Sequence, residues 1–123
     1  MNRYLFLFAA TLVISITACK STKETTATNE PKKADCSGVA YTYTTDIKPI
    51  LNQNCNGCHG PVKKRGGFDF TIDEVLMEHA RNGKLVCAIN HTKGCEAMPQ
   101  YNPKLSDETI KTIECWVNSG MPQ

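Results

Sequence analysis

The chain has no hydrophobic run long enough to cross a membrane. Its longest, residues 5–16, holds about a dozen residues broken only by small ones, whereas a bilayer core needs roughly 20. With Arg3 ahead of it, the run reads instead as the apolar region of a secretory signal. No stretch alternates apolar and polar residues for long enough to argue for a sheet, and no segment repeats. Excess charge is missing as well. Residues 35–123 hold 9 Lys and Arg against 10 Asp and Glu, a net of −1, so nothing marks a nucleic-acid surface. The chain's formal net charge of +2 comes from Arg3 and the segment behind the signal.

What is present starts with the end of that signal. Ile16-Thr17-Ala18-Cys19 looks like a lipobox, the site where bacterial lipoproteins are cleaved and lipidated on the cysteine. Residues 1–18 are then a signal peptide and Cys19 the lipid-bearing residue. The plainer alternative is an ordinary secretory signal that ends near a cysteine. Either way the mature chain is exported to a compartment where disulfides persist. Residues 20–34 contain no aliphatic side chain larger than Ala, too little apolar surface to offset the entropy of ordering them. Together with Cys19 they are expected to form a disordered tether with a root-mean-square reach of roughly 20 Å. Residues 35–123 suffice for one domain. A domain of that size has a marginal core and usually needs covalent or cofactor help.

Helical periodicity dominates the domain and predicts an all-α fold. "TTDIKPILNQNC" reads as a helix started by Thr44 or Thr45, with Pro49 tolerable only in its first turn. "TIDEVLMEHARNG" carries a capping-box pattern, Thr71 with Glu74, an apolar face of Ile72, Val75, Leu76 and His79, and a stop at Gly83. "LSDETIKTIECWVNSG" starts at Ser106, has Asp107 and Glu108 in its first turn, buries Ile110, Ile113 and Val117, and stops at Gly120. "GPVKKRGG" and "AMPQYNP" mark loops.

The stretch "NCNGCHG", residues 54–60, carries the chemistry. Two cysteines three apart with a histidine behind them suit a redox dithiol, half of a zinc site, or covalent capture of a haem. A thioredoxin-like dithiol sits in a βαβ unit, and no strand pattern precedes Cys55. Structural zinc needs four ligands, and an exported compartment favours oxidation of the spare thiols. Haem attachment needs only what is there. Two thiols add to the two vinyl groups, and the adjacent imidazole reaches the iron. In a chain with 7 Cys and 3 His, the string arises by chance about once in a hundred such chains, and it is the haem-attachment pattern.

"YTTDIKPILNQNCNGCHG", "AMPQ" and "LSDETIKTIECWVNSGMP" together resemble a small single-haem class I cytochrome c domain, over nearly all of residues 41–123. The resemblance implies one covalent haem c wrapped by short helices, the first and last of them crossing. It implies Cys55 and Cys58 as thioether anchors, His59 as proximal iron ligand and Met98 as distal ligand. Met98 lies in a loop 39 residues after His59 and is followed by Pro99, which stiffens the backbone that presents the sulfur. Met77 and Met121 compete with it. The common role of a methionine is to fill gaps in a core, and Met77 sits beside an apolar helix stripe while Met121 lies near a chain end. His79 and His91 offer a bis-histidine alternative.

Four cysteines remain, and four allow three pairings. Cys87 and Cys95 flank one short loop just before Met98 and are paired, which pairs Cys36 with Cys115. At about 100° per helical residue, Cys115 points away from the Ile110, Ile113 and Val117 face, toward an incoming N-terminal segment. Lys63, Lys64 and Arg65, just after the haem motif, form either an ordinary solvated loop or a patch that steers an acidic partner to the haem edge. The expectation is therefore an electron carrier rather than an enzyme, tethered to a bacterial membrane, facing the periplasm or cell surface, and serving redox partner proteins. Two rivals stand beside it: a haem peroxidase or gas-binding protein with an open sixth position, and a haem-free, disulfide-stapled zinc lipoprotein.

Overall fold

The structure, a computed structural model, describes residues 33–123. The expected signal peptide, the lipobox with Cys19 and residues 19–32 of the tether lie outside them. Among the described residues there are four α-helices and no strand. A π-helical turn, Tyr43–Ile47, leads into α1, Lys48–Asn54. A 3-10 turn at Arg65–Gly67 precedes α2, Asp73–Arg81, then α3, Lys84–Ile89, and finally α4, Asp107–Asn118.

The first segment begins two residues earlier than periodicity suggests. Thr42 is the N-cap: its hydroxyl accepts from the Thr45 N–H at 3.4 Å, and the Asp46 carboxylate accepts the Thr42 N–H at 2.8 Å. Each side chain thus satisfies a donor that a helix start leaves orphaned. Pro49 falls in the first turn of α1. In a regular helix its ring would crowd the carbonyl four residues back. The π turn ahead of it opens that spacing, and the Lys48 N–H reaches back to Tyr43 O.

Helix α2 starts at Asp73, not at a box built on Thr71. The Thr71 hydroxyl and N–H both go to Asp69 Oδ1, at 2.6 and 2.9 Å. This local turn outcompetes the cap, so Ile72 becomes the N-cap residue and is 44% exposed. The buried face is therefore Leu76, Met77 and Ala80, with Val75 and His79 half-buried. Gly83 takes φ +77 and ends the element, as the sequence suggests. Helix α3 follows at once and was not foreseen. It has six residues and no side-chain cap, and it buries Leu85 and Ile89. Helix α4 has its Ser106 cap, which accepts from the Thr109 N–H at 3.2 Å. Its buried face is Ile110, Ile113 and Trp116, with Val117 only partly buried.

Trp116 is the centre of the core. It is fully buried, its ring stacks on Tyr43 at 6.1 Å, and its Nε1–H donates to Pro122 O at 3.0 Å. The Tyr43 N–H donates to the same carbonyl at 2.8 Å. The first helical segment and the last helix are thereby joined, as a crossing of the two requires. Burial and the neighbouring Asp73 carboxylate push the Tyr43 phenol up to about 12, so it stays neutral at physiological pH. Cys36–Cys115, with an S–S distance of 2.04 Å, ties the incoming segment to α4, and Cys115 is buried outside the core cluster. Cys87–Cys95 joins α3 to the loop behind it.

Trp116→Ala should lower the unfolding free energy by about 3–5 kcal/mol, the range for emptying a buried aromatic site. Denaturant titration of the purified domain measures it, and a loss below about 1 kcal/mol would show that the core lies elsewhere.

Candidate functional site

The site starts where α1 ends. Cys55 is the C-cap of α1, and its carbonyl accepts the N–H groups of both Cys58 (3.0 Å) and His59 (2.9 Å). This tight turn brings Cys55, Cys58 and His59 onto the lining of one cavity. Among the described residues Cys55 and Cys58 are the free cysteines, both half-buried. Burial pushes the Cys55 thiol up to about 11, so at neutral pH it is an uncharged group in an apolar wall.

The loop behind His59 folds back over it. Gly60 is buried, and a Cβ there would overlap the Asn56 carbonyl oxygen. The Arg65 N–H returns to Cys58 O at 3.0 Å, and the Phe70 N–H to His59 O at 2.7 Å. Lys64, Gly66 and Gly67 all take positive φ in the turn between. As a result the Arg65 carbonyl lies 2.8 Å from His59 Nδ1. A carbonyl only accepts, so Nδ1 carries the hydrogen, and Nε2 is left with its lone pair for a metal. Phe68 stacks on the imidazole at 4.7 Å with 10° between the planes, and Phe70 lies at 5.2 Å. His59 is buried and held both in its plane and at its edge.

The opposite wall comes from α3 and the loop after it. Met98 is half-buried; its N–H donates to Ala88 O at 3.0 Å, and its carbonyl lies 3.0 Å from His91 Nε2. Cys55, Cys58, His59 and Met98 line one cavity of about 590 Å³, together with Phe68, Phe70, Leu85, Ile89 and Leu105. That volume lies within the range of cofactor sites, and the lining has their character: mostly apolar, with a few convergent polar groups. Two free thiols, an imidazole with Nε2 available and a thioether facing one apolar space are a donor set that fits a covalently attached haem.

The remaining candidates are held differently. His91 is exposed, is not among the lining residues, and is occupied with Met98. His79 also lines the cavity; like His59 it donates from Nδ1 to a carbonyl, Val75 O at 2.8 Å, and its ring packs on Phe68 at 4.4 Å. It therefore shares the aromatic cluster of His59. Met77 is buried in the core, and Met121 packs partly against it. Among the described residues no three His, Cys, Asp or Glu side chains converge as a metal centre. Lys63, Lys64 and Arg65 are exposed at the edge of the site. The Arg65 guanidinium lies over the Tyr101 ring at 5.5 Å, and both residues line the cavity. Asp69 has its carboxyl held below the usual range, chiefly by the Thr71 hydroxyl and more weakly by Lys64. Sequence reasoning missed Phe68, Phe70 and the Arg65 carbonyl. The paired glycines 66 and 67 were the visible signal that the chain must turn sharply there.

The family described as cytochrome c oxidase, cbb3-type, subunit III matches residues 44–117 of the chain, a span that includes Cys55, Cys58, His59 and Met98. No curated protein and no solved structure matches it.

Gly66 and Gly67 separate the two demands of the turn. Both have positive φ, +73 and +86, but a Cβ at Gly66 would lie 2.5 Å from the Phe68 ring whereas one at Gly67 meets nothing within 4 Å. Each alanine variant carries the left-handed penalty of about 1–2 kcal/mol. Gly66→Ala should cost roughly 1–3 kcal/mol more, because it displaces the ring stacked on His59. Equal losses in thermal or denaturant unfolding would contradict this role for Phe68.

Proposed function

This chain belongs to the family described as cytochrome c oxidase, cbb3-type, subunit III, and we propose that it is a monohaem electron carrier with His/Met-ligated iron, tethered by lipid on Cys19. The family is one of small c-type cytochrome domains, which hold haem c covalently and pass electrons between protein partners. The observation that carries the finer reading is the convergence of Cys55, Cys58, His59 and Met98 on one apolar cavity.

In this reading Cys55 and Cys58 would hold the haem through thioether bonds, and His59 Nε2 and the Met98 sulfur would be the side-chain donors to its iron. When bound, the haem supplies an iron that changes charge by one electron. The chain's residues set the conditions for that change. The Arg65 carbonyl fixes the His59 tautomer and orientation, a hydrogen bond of the kind that makes an imidazole a stronger donor. The Met98 thioether favours the reduced state and raises the potential. Phe68, Phe70, Leu85 and Ile89 keep the interior dry, so little solvent need reorganise when the charge changes. With His59 and Met98 both given to the iron, no position would be left for a substrate, which is why the reading is electron transfer. The family's description names an oxidase subunit, and the role proposed here is the same whether the acceptor is an oxidase or another carrier.

Met98→Ala in the haem-loaded protein should abolish the weak sulfur–iron band near the red end of the ferric spectrum. It should also let carbon monoxide bind the reduced form and lower the potential. Met121→Ala should change none of these. A native spectrum in Met98→Ala would refute the distal assignment. Separately, Cys19→Ser with the rest of the signal intact should release or mislocalise the domain without altering its spectrum. Unchanged partitioning of that variant into detergent would rule out the lipid anchor.

A further inference from the structure

His91 stands where a glycine is usual. The end of α3 has the hydrogen-bond pattern of a Schellman motif: the His91 N–H reaches Ala88 O at 3.2 Å, and the Thr92 N–H reaches Cys87 O at 3.1 Å. The residue between must adopt the left-handed conformation, and His91 does so with φ +57. A side chain at such a position is uncommon, and where one persists it points to a use. The use is visible in the geometry. His91 Nε2 lies 3.0 Å from the Met98 carbonyl oxygen, and because a carbonyl only accepts, Nε2 is the donor.

The other side of the same residue is also held. Ala88 O, near the end of α3 where helical partners run out, accepts the Met98 N–H at 3.0 Å. The Cys87–Cys95 disulfide closes the loop between. Met98 is thus fastened at its N–H and at its carbonyl to the end of one short helix, and of the two fastenings only the second depends on a replaceable side chain.

We propose that His91 is a positioning residue that clamps the Met98 carbonyl and so keeps the thioether in place against competing ligands. The proposal rests on the reading of Met98 as distal ligand. Any outside ligand must wait for the Met98 loop to swing away, and swinging away breaks the His91 bond. The bond therefore lowers the population open to competitors, and losing it raises their apparent affinity.

The test uses the haem-loaded protein and imidazole as the competitor, with His91→Gly and His91→Gln as variants. His91→Gly removes the clamp and at the same time suits the left-handed backbone better. It should bind imidazole in the ferric state about two- to tenfold more tightly, the range expected for one net hydrogen bond, with a melting temperature equal to or above that of the wild type. His91→Gln keeps a side-chain N–H donor on a comparable stem and should stay within about twofold of the wild type. Wild-type imidazole affinity in His91→Gly would overturn the clamp. So would a gain in affinity accompanied by a matching fall in melting temperature, which marks a merely structural role. If instead the wild type itself lacked the sulfur–iron band, the reading of Met98 would fall first, and the clamp with it.

Discussion

The hydrogen bond from His59 Nδ1 to the Arg65 carbonyl, at 2.8 Å, is the contact around which the rest of the domain is arranged. To place that carbonyl, the chain must reverse within a few residues of the Cys55–His59 turn. Gly60 is there because any side chain would strike the Asn56 carbonyl, and Lys64, Gly66 and Gly67 take left-handed conformations to complete the reversal. The reversal delivers Phe68 and Phe70 onto the imidazole and the Phe70 N–H onto the His59 carbonyl. Fixing one ring nitrogen decides the other. Nε2 is left to a metal, and its orientation is set by backbone rather than by a mobile side chain.

The two walls of the cavity are held by different means. The His59 wall is a continuous loop whose hydrogen bonds are mostly backbone to backbone. The Met98 wall is assembled from a six-residue helix, a disulfide and a few hydrogen bonds at the helix end. A helix that short has no stability of its own, so its position comes from Leu85 and Ile89 in the core and from the Cys87–Cys95 link. The Arg65 guanidinium over Tyr101 is the exposed contact that reaches from one wall to the other. An exposed cation–π pair contributes only about 0.5–1 kcal/mol, so the walls are joined mainly through the core. There, Tyr43 on Trp116 unites the first and last helical segments, while outside the core cluster the Cys36–Cys115 bond ties the incoming segment to α4.

The all-α fold and the thiol–imidazole cluster were legible in the sequence because their signals are local. Cys55, Cys58 and His59 are separated by covalent geometry alone, and the stops at Gly83 and Gly120 follow from conformations that favour glycine. What was misjudged depended on competition or on contacts distant in sequence. Thr71 has the form of a cap, but Asp69, two residues earlier, takes its hydroxyl and its N–H. Trp116 is buried in preference to its neighbour Val117 because Tyr43 and Pro122, from opposite ends of the domain, meet there. Helix α3 is too short for periodicity to register. The aromatic support of His59 and the donor from His91 to Met98 are relations in space with no counterpart in sequence spacing.

The account stands on one central claim, that Cys55, Cys58, His59 and Met98 hold a single haem whose iron is saturated by the chain itself. The visible spectrum of the exported, full-length protein tests it most directly, recorded oxidised and then reduced under carbon monoxide. The account predicts a low-spin ferric spectrum with the weak sulfur–iron band near the red end, and a reduced spectrum that carbon monoxide leaves unchanged. A high-spin ferric spectrum with ready carbon monoxide binding, or a colourless protein with intact disulfides, would contradict it.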